Sequence, residues 1–188
     1  ESNYSDSRSP DAVDFSKQLD DELTRRDFTI NAIALDPFKG QIIDLYKGQE
    51  DIKDKITRAV GKAEERFQED ALRMLRAIRI ASDLGFNVSR ETEEAISKNA
   101  PLLEKISKER VRDEFVKILL TERAMEGLNL AKKLGILKYI SSDIERGVGI
   151  DQNQAHKFDV YEHNLRTLQH AVDKNYGLDL RLASLFHD

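Results

Sequence analysis

The sequence predicts a mostly helical α+β chain, with a small α/β piece at the front and an all-helical body behind it. Three observations carry that expectation. Short runs rich in apolar or β-branched residues, Ala32–Leu35, Ile42–Leu45 and Ile56–Val60, fall in the first third of the chain, and such runs read as strands. Between the first two, Asp36-Pro37-Phe38-Lys39-Gly40 holds the residues that tight turns favour, so a hairpin is expected. After Gly61 the pattern becomes helical, and Pro101 is the sole proline from there to Asp188.

The elements follow in order. Residues 1–10 are polar and without periodicity, and read as a loop or frayed end. The first long helix is expected from Glu64 to Leu84, stopped by Gly85 as a C-cap residue. A short second helix opens at Ser89, with Glu91 and Thr92 behind it. Further helices are expected over Ser107–Leu120 and Ala124–Leu134, the latter closed by Gly135. After a loop around Gly147-Val148-Gly149, two more follow, Val160–Asn175 and Leu178 onward.

Composition bounds the function. With 188 residues the chain is long enough for one or two domains and a substantial core. No apolar run approaches the roughly 18–20 residues of a membrane span. The absence of Cys excludes a disulfide scaffold, a Cys-type zinc finger and a thiol nucleophile, and fits a reducing, cytoplasmic setting. No basic stretch followed by an apolar run reads as a secretory signal. Because the first residue is Glu1, a fragment or processed chain is expected.

A net charge of −5 argues, taken whole, against nucleic acid. The distribution removes that argument. Residues 1–24 hold seven acids (Glu1, Asp6, Asp11, Asp14, Asp20, Asp21, Glu22) against Arg8 and Lys17, and account for all of it. Residues 51–138 hold 19 Lys/Arg against 16 Asp/Glu.

The densest segment is Glu69-Asp70-Ala71-Leu72-Arg73-Met74-Leu75-Arg76-Ala77-Ile78-Arg79. On a continuous helix, Ala71, Met74, Leu75, Ile78 and Ala81 share one apolar arc. Arg73, Arg76 and Arg79 then follow one another at about 60° steps, with Asp70 about 60° to the other side of Arg73. One reading is an ordinary amphipathic helix with a Glu69–Arg73 pair. The other is chemical. A carboxylate only accepts hydrogen bonds and a guanidinium only donates them. Cytosine and adenine offer an amino donor beside a ring-nitrogen acceptor, whereas uracil and guanine offer a carbonyl beside an N–H. A fixed Asp/Arg pair therefore accepts C and A and refuses U and G. Other arginines on the rim suit phosphate.

Upstream, Arg25-Arg26-Asp27-Phe28-Thr29-Ile30-Asn31-Ala32 gathers polar groups beside a strand. Asp27 either caps a short helix between solvated arginines or belongs to a site.

These segments together resemble the class II tRNA nucleotidyltransferases, that is the CCA-adding enzymes, and the bacterial poly(A) polymerases that share their head. Arg25–Ala32 is similar to motif B, Asp44–Ile52 to motif C, Glu69–Arg76 to motif D and Glu109–Glu114 to motif E. The resemblance implies a head over 1–60, a nucleotide-selecting and RNA-binding helical neck over 61–140, and the start of an HD-like helical body over 141–188. It implies nucleotide binding by Arg26, Asp27, Asn31, Asp70, Arg73, Arg76 and Arg79, with Glu69, Glu109, Arg110 and Glu114 in support. CTP, ATP and tRNA are the implied partners and Mg²⁺ the implied cofactor. The family's motif A, a Gly-Gly…Arg-Asp loop and an Asp-x-Asp pair for Mg²⁺, does not occur in these residues. No catalytic residue is therefore expected in this chain, which is expected to be inactive alone and to lack both ends of its parent.

All four histidines follow residue 155. His163, His187 and Asp188 resemble the opening ligands of an HD domain, which implies a second divalent metal there; imidazole and carboxylate are suitable ligands. The alternative is a helical body whose histidines pack or face solvent, as His156 and His170 are expected to do. The expected function is CMP and AMP transfer to a tRNA 3′ end. Its rivals are a poly(A) or A-only-adding enzyme, a non-catalytic helical RNA-binding module and an HD phosphohydrolase.

Overall fold

The computed structural model describes residues 19–151 and 157–188. Most of the acidic residues of 1–24, the expected loop over 1–10, and His156 lie outside the described residues.

The front piece begins with α1 (Leu19–Thr24) and a single 3₁₀ turn, Thr29–Asn31. The expected hairpin follows as β1 (Ile33–Asp36) and β2 (Gln41–Asp44), antiparallel with Leu35 opposite Ile42. Its turn is built by Asp36, whose Oδ1 accepts from the backbone N–H groups of Phe38 (2.9 Å) and Lys39 (3.1 Å). Gly40 closes it at φ 62°, a left-handed conformation that glycine adopts without a Cβ penalty.

After β2 the chain forms α2 (Gly48–Asp54). Asp44 nucleates it by accepting from the N–H groups of Gly48 (2.7 Å) and Gln49 (2.9 Å), satisfying two donors that a helix start leaves free. A Cβ on Gly48 would run into the Thr29 carbonyl and come within 2.8 Å of Ile33 Cγ1. Because the first obstacle is backbone, Gly48→Ala is expected to cost about 1–3 kcal/mol through overpacking. A lowered urea midpoint with unchanged slope would show it.

The third expected strand survives as β3 (Ile56–Thr57), which pairs in parallel with β4 (Asn87–Val88). Two residues carry too little pattern for β4 to be anticipated.

The helical body corrects one expectation. A continuous helix over 64–84 is replaced by α3 (Ala63–Glu69) and α4 (Leu72–Leu84), and Asp70 between them is extended (φ −147°, ψ 103°). Aspartate disfavours helix interiors because its short carboxylate competes for backbone N–H groups. Here Asp70 Oδ1 accepts from Leu72 N at 3.0 Å and the Asp70 carbonyl accepts from Arg73 N at 3.1 Å, so Asp70 starts α4 rather than continuing α3. At the other end α4 stops at Gly85 (φ 66°), as expected.

Beyond β4 come α5 (Arg90–Asn99), capped by Ser89, then α6 (Lys108–Leu119), α7 (Ala124–Lys133), α8 (Leu137–Ile140) and α9 (Ser142–Arg146). A 3₁₀ segment, Ala100–Lys105, precedes α6. The chain ends with α10 (Val160–Asp173), capped by Asp159 Oδ1 at 2.7 Å from Glu162 N, and α11 (Leu178–Leu185).

The core centres on α4. Met74, Leu75, Ala77 and Ile78 are fully buried, in one cluster with Ile118 and Leu119 of α6, Leu128 of α7 and Leu165 and Leu168 of α10. The apolar stripe therefore turns inward, and Arg73, Arg76 and Arg79 are left on the half-buried border of the same helix.

Candidate functional site

The site is assembled where the front piece meets α4. A bridge between Phe28 and Ala59 fixes the backbone around Asp27. Thr29 N donates to Arg58 O at 2.9 Å, and Val60 N donates to Asp27 O at 3.1 Å. Phe28 is fully buried, which anchors the segment.

Asp27 is a clamp on two arginines, not a helix cap. Its Oδ1 accepts from Arg73 Nε at 2.8 Å, and its Oδ2 pairs with Arg76 Nη2 at 2.7 Å. Arg73 is held further by Glu69 Oε2 (2.6 Å) and the Arg66 carbonyl (3.1 Å), both through Nη1. Burial works against the Arg73 charge, but its hydrogen bond to Glu69 and the charges of Asp27, Glu69 and Asp70 outweigh it. The guanidinium is thus held above its ordinary pKa. Among the described residues its third nitrogen, Nη2, holds one 3.5 Å hydrogen bond, to the Arg25 carbonyl.

Four of the expected residues, Arg26, Asp27, Asn31 and Arg76, line one cleft of about 700 Å³. Arg26 and Asn31 are exposed there. Arg76 Nε is buried and has no hydrogen-bond partner among the described residues.

Asp70, Arg73 and Arg79 are placed differently. Because Asp70 starts α4 instead of continuing α3, the rim geometry of a continuous helix does not hold for it. Asp70 Oδ2 accepts from Arg110 Nη2 of α6 at 2.8 Å. Arg73 is bound to Asp27, which lines the cleft, and does not itself line it. Arg79 turns to α6, where its Nε donates to Glu114 Oε2 at 2.8 Å, and it does not line the cleft. Of the supporting residues, Glu69 and Glu114 reach arginines of α4, and Arg110 reaches Asp70 just ahead of it. Glu109 is exposed, and its side chain makes no hydrogen bond or ion pair among the described residues.

Glu114 carries a pH signature. Burial pushes its pKa up, but hydrogen bonds from Lys117 and Arg79 and their charges pull harder, leaving it below the ordinary 4.5. A depressed carboxylate contributes stability above its unfolded pKa and loses it as pH falls through the folded value. Acid should therefore weaken the α4–α6 contact below about pH 4.5, and Glu114→Gln should flatten the fall of the unfolding midpoint over that window. An unchanged acid slope would contradict this.

Sequence reading left out a second network. Thr29 Oγ1 donates to Asp51 Oδ2 at 2.6 Å, Asp51 pairs with Arg58 at 3.2 Å, and Arg58 pairs with Glu91 at 3.3 Å. It ties the Asp27 segment to α2 and α5. Its members are far apart in sequence, so no local spacing announces them.

His163, at the start of α10, and His187 and Asp188, after α11, come together. Their ligand atoms lie within 4.8 Å of one another. The two Nε2 atoms are 3.1 Å apart, and each is 3.6 Å from Asp188 Oδ2. His187 Nδ1 lies 2.9 Å from the Ser184 carbonyl; donation of its N–H there leaves the Nε2 lone pair facing the cluster, as metal-binding imidazoles require. The donor set fits a divalent cation.

No helix among the described residues is long and apolar enough to cross a membrane. Two family profiles match the chain: "Poly A polymerase head domain" over residues 1–58, and "Probable RNA and SrmB- binding site of polymerase A" over residues 85–146. The CCA-adding enzyme of Lactobacillus helveticus is 58% identical over 118 residues, which are 63% of this chain and 29% of that protein. The chain spans about a third of the length of the curated relatives it matches. Among solved structures, the Bacillus stearothermophilus CCA-adding enzyme in complex with CTP is 37% identical with a TM-score of 0.69, covering 91% of this chain and 44% of that one. A tRNA nucleotidyltransferase complexed with a primer tRNA and an incoming ATP analog is 31% identical with a TM-score of 0.70, covering 89% and 48%. The matched head and RNA-binding segments and the shared fold place this chain in the class II tRNA nucleotidyltransferase family, which includes the CCA-adding enzymes and bacterial poly(A) polymerases.

Proposed function

We propose that the complete protein transfers CMP and AMP from CTP and ATP to the 3′ end of tRNA in the cytoplasm, and that this chain supplies the nucleotide-selecting part of the site. The observation that carries the reading is the Asp27 clamp, which binds the Arg25–Ala32 segment to α4 through Arg73 and Arg76. In it the two arginines keep donors for a ligand. Within Arg73, Nη2 holds only the long 3.5 Å bond to the Arg25 carbonyl among the described residues, and it suits the ring-nitrogen acceptor of cytosine or adenine. Asp70, an acceptor only, suits the amino group beside that nitrogen. Arg76, whose side chain is 39% exposed and lines the cleft, suits phosphate, since its planar guanidinium favours an anionic acceptor. Arg26 and Asn31, which line the same cleft, would add further contacts. In this reading the head spans 1–60, the neck 61–140, and an HD-like body begins at 141.

The family works with a divalent metal, and we propose Mg²⁺ in the complete protein. The described cleft does not hold its ligands: Asp27 is bound to Arg73 and Arg76, and Glu22 is paired with Arg25. Arg79 and Glu114 are assigned to bracing α4 against α6.

Incubation of the complete protein with a tRNA lacking its 3′ CCA and each labelled nucleotide in turn tests the reading. Incorporation of CMP and AMP but not UMP or GMP is expected. AMP alone would point to A-only addition or poly(A) synthesis, and no incorporation would overturn the proposal.

The His163–His187–Asp188 cluster favours a second activity in the same protein. A divalent cation held there would supply Lewis-acid activation of a phosphoester. Metal-dependent phosphatase activity that disappears in His187→Ala would support it, whereas metal-independent or absent activity would leave the cluster as packing.

A further inference from the structure

Arg181 is the most deeply buried cation with no carboxylate partner among the described residues, and neither the nucleotide cleft nor the histidine cluster uses it. It is 6% exposed. Its Nη1 donates to the Leu119 carbonyl at 2.7 Å and to the Thr121 carbonyl at 3.3 Å, and its Nε donates to the Tyr176 carbonyl at 2.8 Å. All three acceptors are main chain. Burying a charge this way is costly without compensation; here the compensation is the end of α6, where free carbonyls and the negative end of the helix dipole converge. Thr121 Oγ1 folds back onto the same end, donating to the Ile118 carbonyl at 2.8 Å.

What α6 carries gives this cap its consequence. One turn apart on that helix, Arg110 holds Asp70 and Glu114 holds Arg79, each at 2.8 Å. Both bonds are sensitive to where α6 sits along its axis, because a shift of about 1 Å takes a 2.8 Å bond beyond hydrogen-bonding distance. Leu119 lies about 13 Å along the helix from Arg110, and a helix transmits axial displacement over that length.

We infer that Arg181 is a positioning residue for base selection: it fixes the trailing end of α6 to α11, and α6 in turn fixes Asp70. The HD-like segment thereby acts as a strut for the nucleotide site, whatever its own chemistry. This rests on the proposed nucleotide-selecting function.

The test uses the complete protein with Arg181→Met and Arg181→Lys, measuring kcat and KM for CTP and ATP beside the thermal midpoint. A misplaced positioning group about 1 Å away can cost as much as a hundredfold; for Arg181→Met we expect KM for both nucleotides to rise about tenfold, more than kcat falls. Arg181→Lys, which keeps the charge but loses the fork, should recover part of that. In an Arg110→Met background, Arg181→Met should raise KM no further. A lower kcat at unchanged KM, in either variant, would mean that Arg181 only supports folding and would overturn the inference. If Arg181→Met gives no folded protein, Arg181→Lys carries the same comparison. A wild-type protein that incorporates no nucleotide would overturn the nucleotide-selecting reading itself, and the inference with it.

Discussion

Replacing Asp27 with alanine is expected to lower stability by about 3 kcal/mol and to abolish detectable nucleotide binding in the cleft. The magnitude follows from what is left behind. Asp27 and Arg73 are 12% and 13% exposed, so removal of the carboxylate leaves a nearly buried guanidinium with Glu69 as its remaining ion-pair partner among the described residues. Breaking a buried ion pair from one side typically costs about 3–5 kcal/mol, and the lower end applies because Arg76, the other partner, is 39% exposed. The lost clamp also frees Arg76 from the cleft wall. Equilibrium denaturation measures the first part, and calorimetric titration with CTP the second. A double-mutant cycle of Asp27→Ala with Arg76→Met isolates the pair. A stability loss below about 1 kcal/mol, the range of an exposed pair, would show that Asp27 is not a clamp.

Much of this was legible in the residues themselves. Gly85 stops α4, Ser89 caps α5, and the Pro37–Gly40 turn joins a hairpin, because each of these signals acts on neighbours within four or five positions. The Arg25–Ala32 and Glu69–Arg79 segments stood out by their density of charge beside apolar pattern. The break at Asp70 was not legible. Its flanks, Ala63–Glu69 and Leu72–Leu84, are both good helix, and the apolar period runs across the gap. What turns Asp70 out is partly local, its bond to Leu72 N, and partly a partner 40 positions away, Arg110. The Thr29–Asp51–Arg58–Glu91 network and the Arg181 cap lie beyond sequence pattern for the same reason, since their partners meet only through tertiary packing. β4, α8 and α9 were missed because two to five residues give no period to read.

The larger functional effect is expected from Asp70 and Arg73. Their chemistry is complementary: one side can only accept and the other can only donate, and the order of the two matches the edges of cytosine and adenine. The structure gives each a brace, Arg110 for Asp70 and Asp27 with Glu69 for Arg73. A braced pair cannot reorient to suit a reversed edge, and a site that leaves buried polar groups unpaired rejects the wrong partner by factors of about 10⁴–10⁵. Selection would then come from fixed geometry rather than from pocket size, which cannot separate A from G or C from U.

Competition between nucleotides measures this most directly. The complete protein, its Asp70→Ala variant and its Arg73→Ala variant are each given a tRNA lacking its 3′ CCA, with all four nucleoside triphosphates present and each labelled in turn. Preference for CTP and ATP over UTP and GTP is expected to fall by about a hundredfold or more in the variants, or incorporation to cease. Variants that still incorporate, with wild-type preference, would contradict base selection by the Asp70/Arg73 pair.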